Sequence, residues 1–132
     1  MKKTHKVAVS LTLVGASLLC SEAAFAATTY YFSSLSLPAN GTSWATASGG
    51  TKISSYVAGS VDITSLIPNV YVEARSYSPS TGISGTKLSN LQQGSSATLS
   101  VPVMAGTTVN LQVKLQYPSP NPAQGSGNFT IN

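Results

Sequence analysis

From Ser95 to Tyr117 apolar and polar residues alternate almost without interruption on either side of one glycine. Ala97, Leu99, Val101 and Val103 share one parity, as do Val109, Leu111, Val113 and Leu115. Thr98, Ser100, Asn110, Gln112, Lys114 and Gln116 fill the positions between. A period of two sends successive side chains to opposite faces of a strand, so the stretch predicts two half-buried strands. With Met104-Ala105-Gly106 as a three-residue loop and Gly106 left-handed, the two form a hairpin. Val103 then faces Thr107, Val101 faces Val109, Leu99 faces Leu111 and Ala97 faces Val113. A two-residue loop would set Val101 against Asn110, apolar against polar. The remaining alternative is a connection that carries the chain between two sheets with no ladder across it. Pro102 lies on the polar side of the first strand and has no N–H for a ladder, which requires an edge strand or a bulge there.

Elsewhere the same reading finds shorter strands between turn signals. Thr29–Leu37 is rich in aromatic and β-forming residues, with Tyr30 and Phe32 on one side and Tyr31 on the other. Pro38-Ala39-Asn40-Gly41 closes it as a turn. A short strand over Thr42–Ala47 carries the single tryptophan, Trp44, and Ser48-Gly49-Gly50 breaks the chain again. Thr51–Val57 and Ser60–Ile67 follow as weaker strand patterns, with a single helical turn at Asp62–Ser65 as an alternative. Asn69–Ser78 alternates cleanly: Val70, Val72, Ala74 and Ser76 against Tyr71, Glu73, Arg75 and Tyr77. Thr86–Leu91 reads as a short strand. Pro118–Gly127 reads as a loop because of its three prolines, and Asn128–Asn132 as a last strand that pairs back into the sheet. The fold class expected is all-β: a small antiparallel β-sandwich, Ig-like or jelly-roll-like, of about seven short strands.

The first 26 residues do not fit this pattern. Lys2, Lys3 and Lys6 precede a mostly apolar run, Val7–Leu19, and Ala24-Phe25-Ala26 has the form of a cleavage site. These are the three parts of a secretory signal peptide of bacterial, Sec-type style, with cleavage between Ala26 and Ala27. The expected organisation is a leader over 1–26 and one domain over 27–132, exported to the outside of the cell. The apolar run is too short for a permanent bilayer-spanning helix, which takes about 20 residues, and no transmembrane segment is expected in 27–132. Cys20 raises lipidation, but Leu19 stands where lipoproteins place a small residue and an ordinary cleavage site follows.

Removing the leader changes the chemistry available. The formal charge of +4 falls to +2 (Lys52, Arg75, Lys87 and Lys114 against Asp62 and Glu73), too sparse for a nucleic-acid footprint, so no nucleic acid is expected as a partner. His5 and Cys20 are the only histidine and cysteine, and both lie in the leader. Residues 27–132 therefore have no Ser-His or Cys-His nucleophile system and no His- or Cys-ligated metal site. Asp62 and Glu73 are too few and too scattered for a calcium loop. A glycosidase dyad of Asp62 and Glu73 is the only carboxylate pair open to an exported hydrolase. The expectation is a non-enzyme with no cofactor and no metal.

The candidate binding residues are Tyr71, Glu73, Arg75 and Tyr77, about 7 Å from each to the next along one strand face, together with Trp44. Tyrosines flanking a charge pair can stack on sugars or receive a protein partner; the alternative is cross-strand packing on a solvated face. Trp44 has the same two readings, core or ligand platform.

The layout resembles the small secreted lactococcin-like bacteriocins of Gram-positive bacteria. The shared features are the Lys-rich leader ending at Ala24-Phe25-Ala26, the Ser43-Trp44 pair, the strand from Val70 to Tyr77, the Gly106-Thr107-Thr108-Val109 step and the closing Gly127–Ile131 strand. The chain departs from that pattern in lacking histidine after the leader and in having Phe129 where a tryptophan is typical. The resemblance implies an antibacterial or cell-surface role. The function expected from the residues is surface contact with cell-wall glycan, matrix or another extracellular protein, with a secreted antibacterial protein as the alternative.

Overall fold

The computed structural model describes residues 27–132; the segment read as a leader, with the expected cleavage residues Ala24 and Ala26, lies outside the described residues. Eight strands follow one another: β1 (Thr28–Leu37), β2 (Ala45–Thr51), β3 (Ala58–Ile67), β4 (Val72–Tyr77), β5 (Leu88–Leu91), β6 (Ser96–Ser100), β7 (Thr108–Leu115) and β8 (Ala123–Ile131). They form two four-stranded antiparallel sheets, in the orders β1-β8-β3-β6 (sheet A) and β2-β7-β4-β5 (sheet B). Apart from the β4–β5 pair, each strand is followed by one in the opposite sheet. That order is a jelly roll, the second of the two sandwich types expected, with eight strands rather than seven.

The core lies between the sheets and is built by the period-two pattern. Strand β7 alternates without fault: Val109, Leu111, Val113 and Leu115 are buried and the residues between them are not. Leu99 of β6, Val61, Ile63 and Leu66 of β3, and Phe129 and Ile131 of β8 meet them from sheet A. Tyr30 and Phe32 pack against this core, Tyr30 stacking on Phe129 at 5.5 Å, while Tyr31 is 79% exposed on the other side of β1.

The hairpin expected around Gly106 does not form. β6 pairs with β3 in sheet A, and β7 pairs with β2 and β4 in sheet B, so the segment between them crosses from one sheet to the other. The apolar parity of both strands is right, because both face the core, but they face it from opposite sides. A period of two fixes which way a side chain points and says nothing about which strand lies alongside. Lys52 anchors the crossing. Its backbone bonds Thr107 and Gly106, and its buried ammonium donates to the carbonyls of Val101 (3.0 Å) and Val103 (2.6 Å). Burial pulls that ammonium below the ordinary lysine value. Gly106 does take the left-handed conformation (φ 88°). β6 is an edge strand and stops at Ser100, before Pro102, in keeping with the missing donor.

Three boundaries also differ. β2 begins after Trp44 and runs through Ser48-Gly49-Gly50 with a bulge between Ala47 and Gly50, so those glycines bend the strand instead of ending it. Residues 52–57 are irregular, whereas Asp62–Ser65, the alternative helical turn, is strand with a bulge between Ile63 and Ser65. β8 starts at Ala123, inside the stretch expected to be loop, and occupies the middle of sheet A. Its Gly125 and Gly127 face inward, Gly125 in ordinary contact with Leu37 and Leu66 and Gly127 crowded by the Phe32 ring. At Gly127 even a methyl group would run into the Asp62 carbonyl oxygen. Here glycine marks close approach inside a central strand.

Candidate functional site

Sheet B turns its second face outward, and the alternating parity of β4 and β7 decides what stands on it. The register pairs Glu73 with Lys114, Arg75 with Gln112 and Tyr77 with Asn110, so these side chains share one surface. Thr46 of β2 pairs with Gln112, which gives Trp44, two residues earlier, the same outward parity. All five candidate residues, Trp44, Tyr71, Glu73, Arg75 and Tyr77, therefore belong to one sheet face. Of the two readings for Trp44, the core is excluded: it is half-buried on the outside of the sandwich.

At the centre is an interlocked group. The Arg75 guanidinium lies 4.3 Å from the centroid of the Trp44 ring, and its Nε donates to Gln112 Oε1 at 2.9 Å. Lys114 Nζ is 5.3 Å from the same centroid. An arginine held over an indole keeps its charge near the surface while covering the apolar ring. Lys114 also donates to the carbonyl of Gly41 at 2.9 Å, which ties the β1–β2 loop, and with it Trp44, to the sheet.

Glu73 lies beneath the cations. It is 6% exposed, with Oε2 at 2.8 Å from Lys114 Nζ and Oε1 at 3.0 Å from Lys87 Nζ. The contact of Oε2 with Lys114 is an ion pair outside hydrogen-bond alignment. Burial pushes the Glu73 carboxyl up, but the adjacent ammonium groups of Lys114 and Lys87 outweigh it and hold the group below the ordinary carboxylate value. Glu73 is thus a buried counter-ion paired with two lysines, and it forms no charge pair with Arg75 of its own strand. The group sums to +2 (Arg75, Lys87 and Lys114 against Glu73), with Lys87 half exposed.

Tyr71 and Tyr77 stand toward opposite ends of this strand. Tyr77 is half-buried and bridges to Ser84; Tyr71 is 47% exposed. Asp62 takes no part. It sits on β3 with outward parity, between the buried Val61 and Ile63, on the far side of the sandwich from Glu73. The core separates the two carboxylates, so they cannot flank one glycosidic bond as a hydrolytic dyad requires. Among the described residues no cluster of three or more His, Cys, Asp or Glu side chains could hold a metal ion, and no helix is long and apolar enough to cross a membrane.

Sequence reasoning missed Lys87, Lys114 and Gln112 as parts of the site. The signal for Lys114 and Gln112 was present in the outward parity of β7, but placing that strand beside β4 required the topology. Lys87 had no signal, since it lies just before β5 in an irregular segment. Comparison with known proteins returns no match: no family model, no curated protein and no solved structure matches this chain.

Proposed function

We propose that this protein is an exported, non-catalytic binding module that holds an anionic extracellular polysaccharide against the outer face of sheet B. The observation that carries the reading is the concentration of charge: three of the four cationic side chains in residues 27–132 share this face, and its one carboxylate is sequestered beneath them. A fixed guanidinium on an indole, with a tyrosine to either side, suits a polymer that carries carboxylate or sulfate groups on sugar rings. Binding rather than catalysis is favoured because residues 27–132 have no histidine or cysteine and the two carboxylates stand on opposite sheets. The leader pattern supports a site of action outside the cell.

The test is retention of the purified protein on isolated bacterial cell wall and on uronate and sulfated polysaccharide resins. Retention on one of these at low salt, loss by ~1 M salt, and release by Arg75→Ala plus Lys87→Ala is the expected result. A wild-type protein that none of the surfaces retains, or a double variant held as firmly as wild type, overturns the reading.

A further inference from the structure

The loop end beside this face carries a cleft of about 320 Å³ between the β3–β4 and β7–β8 connections, with Asn69, Tyr71, Tyr117, Pro118, Ser119 and Pro120 around it. Such a volume falls at the lower end of the range for small-ligand sites, roughly 300–1,000 Å³. Two large aromatic side chains are left open here, Tyr71 at 47% and Tyr117 at 63%.

Tyr117 is exposed but not loose. Its hydroxyl accepts from Gln116 Nε2 at 3.1 Å, and that same nitrogen donates to Asn90 Oδ1 at 2.8 Å. Gln116 Oε1 in turn accepts from the backbone N–H of Asn90 at 2.6 Å. Asn90 is held left-handed (φ 59°), a conformation that asparagine tolerates better than most residues. Gln116 N–H also bonds the Tyr71 carbonyl at 3.0 Å, which ties the backbone before β4 to the end of β7. Pro118 and Pro120 have fixed φ, and Ser119 N–H is tied to the Ala39 carbonyl at 2.8 Å, which stiffens the base. The network holds the Tyr117 ring through its hydroxyl, and Tyr71 beside it is fixed at its backbone.

We propose that the cleft is a stacking subsite for an uncharged sugar ring of the bound polysaccharide. The proposal rests on the glycan-binding reading of the adjoining face and names what that reading leaves open, which part of the chain is recognised without charge. Tyr71 belongs both to the cleft and to the outward face of the strand that carries Glu73 and Arg75, so one polymer can run from the cations into the cleft without leaving protein surface. The chemistry of the walls agrees. Tyrosine rings receive the C–H face of a sugar, while the Asn69 amide, the Ser119 hydroxyl and the tyrosine hydroxyls form a polar rim for its hydroxyl groups. No charged side chain lines the cleft, which matches a neutral ring rather than the anionic substituent assigned to the face.

The experiment is an NMR titration of the purified protein with neutral hexasaccharides (cello-, xylo- and chito-oligosaccharides), with a proline decamer as competitor class. Saturable shifts of the Tyr71 and Tyr117 ring signals by at least one sugar are expected. Affinity should fall about tenfold or more in Tyr71→Ala and in Tyr117→Ala, and stay within about twofold in Asp62→Asn on the opposite sheet. Tyr117→Phe, which keeps the ring and loses the hydroxyl tie, should lie between. No ring shift with any sugar at ~10 mM, unchanged affinity in Tyr117→Ala, or shifts with the proline decamer alone would each overturn the proposal. The two readings fail separately. Anionic resin that still retains the protein while neutral sugars leave the cleft silent defeats the subsite and keeps the face. Sugar binding at the tyrosines without retention on anionic resin defeats the cationic face.

Discussion

The two outer faces of the sandwich are made by the same alternation and end up chemically opposite. On sheet A the register sets Thr29, Thr130, Ser60 and Thr98 in one row across four strands, and Tyr31, Asn128, Asp62 and Ser96 in the next. Ser60 and Thr130 bond each other at 2.7 Å, and Asp62 is the single charge in these rows. On sheet B the equivalent rows hold Lys114 with Glu73 and Gln112 with Arg75, and Trp44 lies under the guanidinium. Short hydroxyl and amide side chains make up most of these rows and leave them with little charge. Long cations gathered around one buried carboxylate leave a net positive face. Strand periodicity alone yields a solvated face; function is assigned to the one on which charge is left over.

The difference can be broken most sharply from beneath sheet A. Gly127→Ala should cost about 3 kcal/mol in chemical denaturation, since the strand it belongs to is central and the added methyl meets backbone. Next comes the carboxylate pair, one on each face. Glu73→Gln leaves two cations facing each other over a buried amide and should cost about 2 kcal/mol, less than for a fully buried pair because Lys87 is half exposed. Asp62→Asn should stay within about 0.5 kcal/mol. Equal losses at the two positions would remove the asymmetry between the faces.

The pH dependence follows from the same pair. The folded-state pKa of Glu73 lies below its unfolded value near 4.5, so its contribution is complete above that value and is lost as pH falls through the folded one. Urea midpoints between pH 6 and 2 should show a decline that Glu73→Gln flattens. The smallest effect is at the surface. Arg75→Ala should cost under ~1 kcal/mol and shift Trp44 emission to longer wavelength as the ring is uncovered. Unchanged emission would mean the stacking does not persist in solution.

Much of this molecule was legible before its structure. The inward parity of Leu99, Val109, Leu111, Val113 and Leu115 was correct residue by residue, because burial on one face imposes a period of two. The Tyr71–Tyr77 face was correct for the same reason. Strand partners were not legible: Val101 and Val109 suit a hairpin as well as two strands that meet across a core. Gly127 read as loop because its value depends on Phe32 and the Asp62 backbone, distant groups that need the room. Trp44 looked ambiguous until β2 lay beside β7, which brought Arg75 over it. Lys52, buried with only carbonyls for partners, had no signature in sequence at all.

Trp44 is the single tryptophan, so its fluorescence reports on one face and not the other. The direct test is to titrate the protein with polygalacturonate and with a sulfated polysaccharide, following Trp44 emission and co-sedimentation together. A saturable emission change that parallels sedimentation with one of the polymers, and disappears with it by ~1 M salt, is the result expected of sheet B as the contact surface. Co-sedimentation with an unaltered Trp44 signal would place the contact elsewhere and contradict the account.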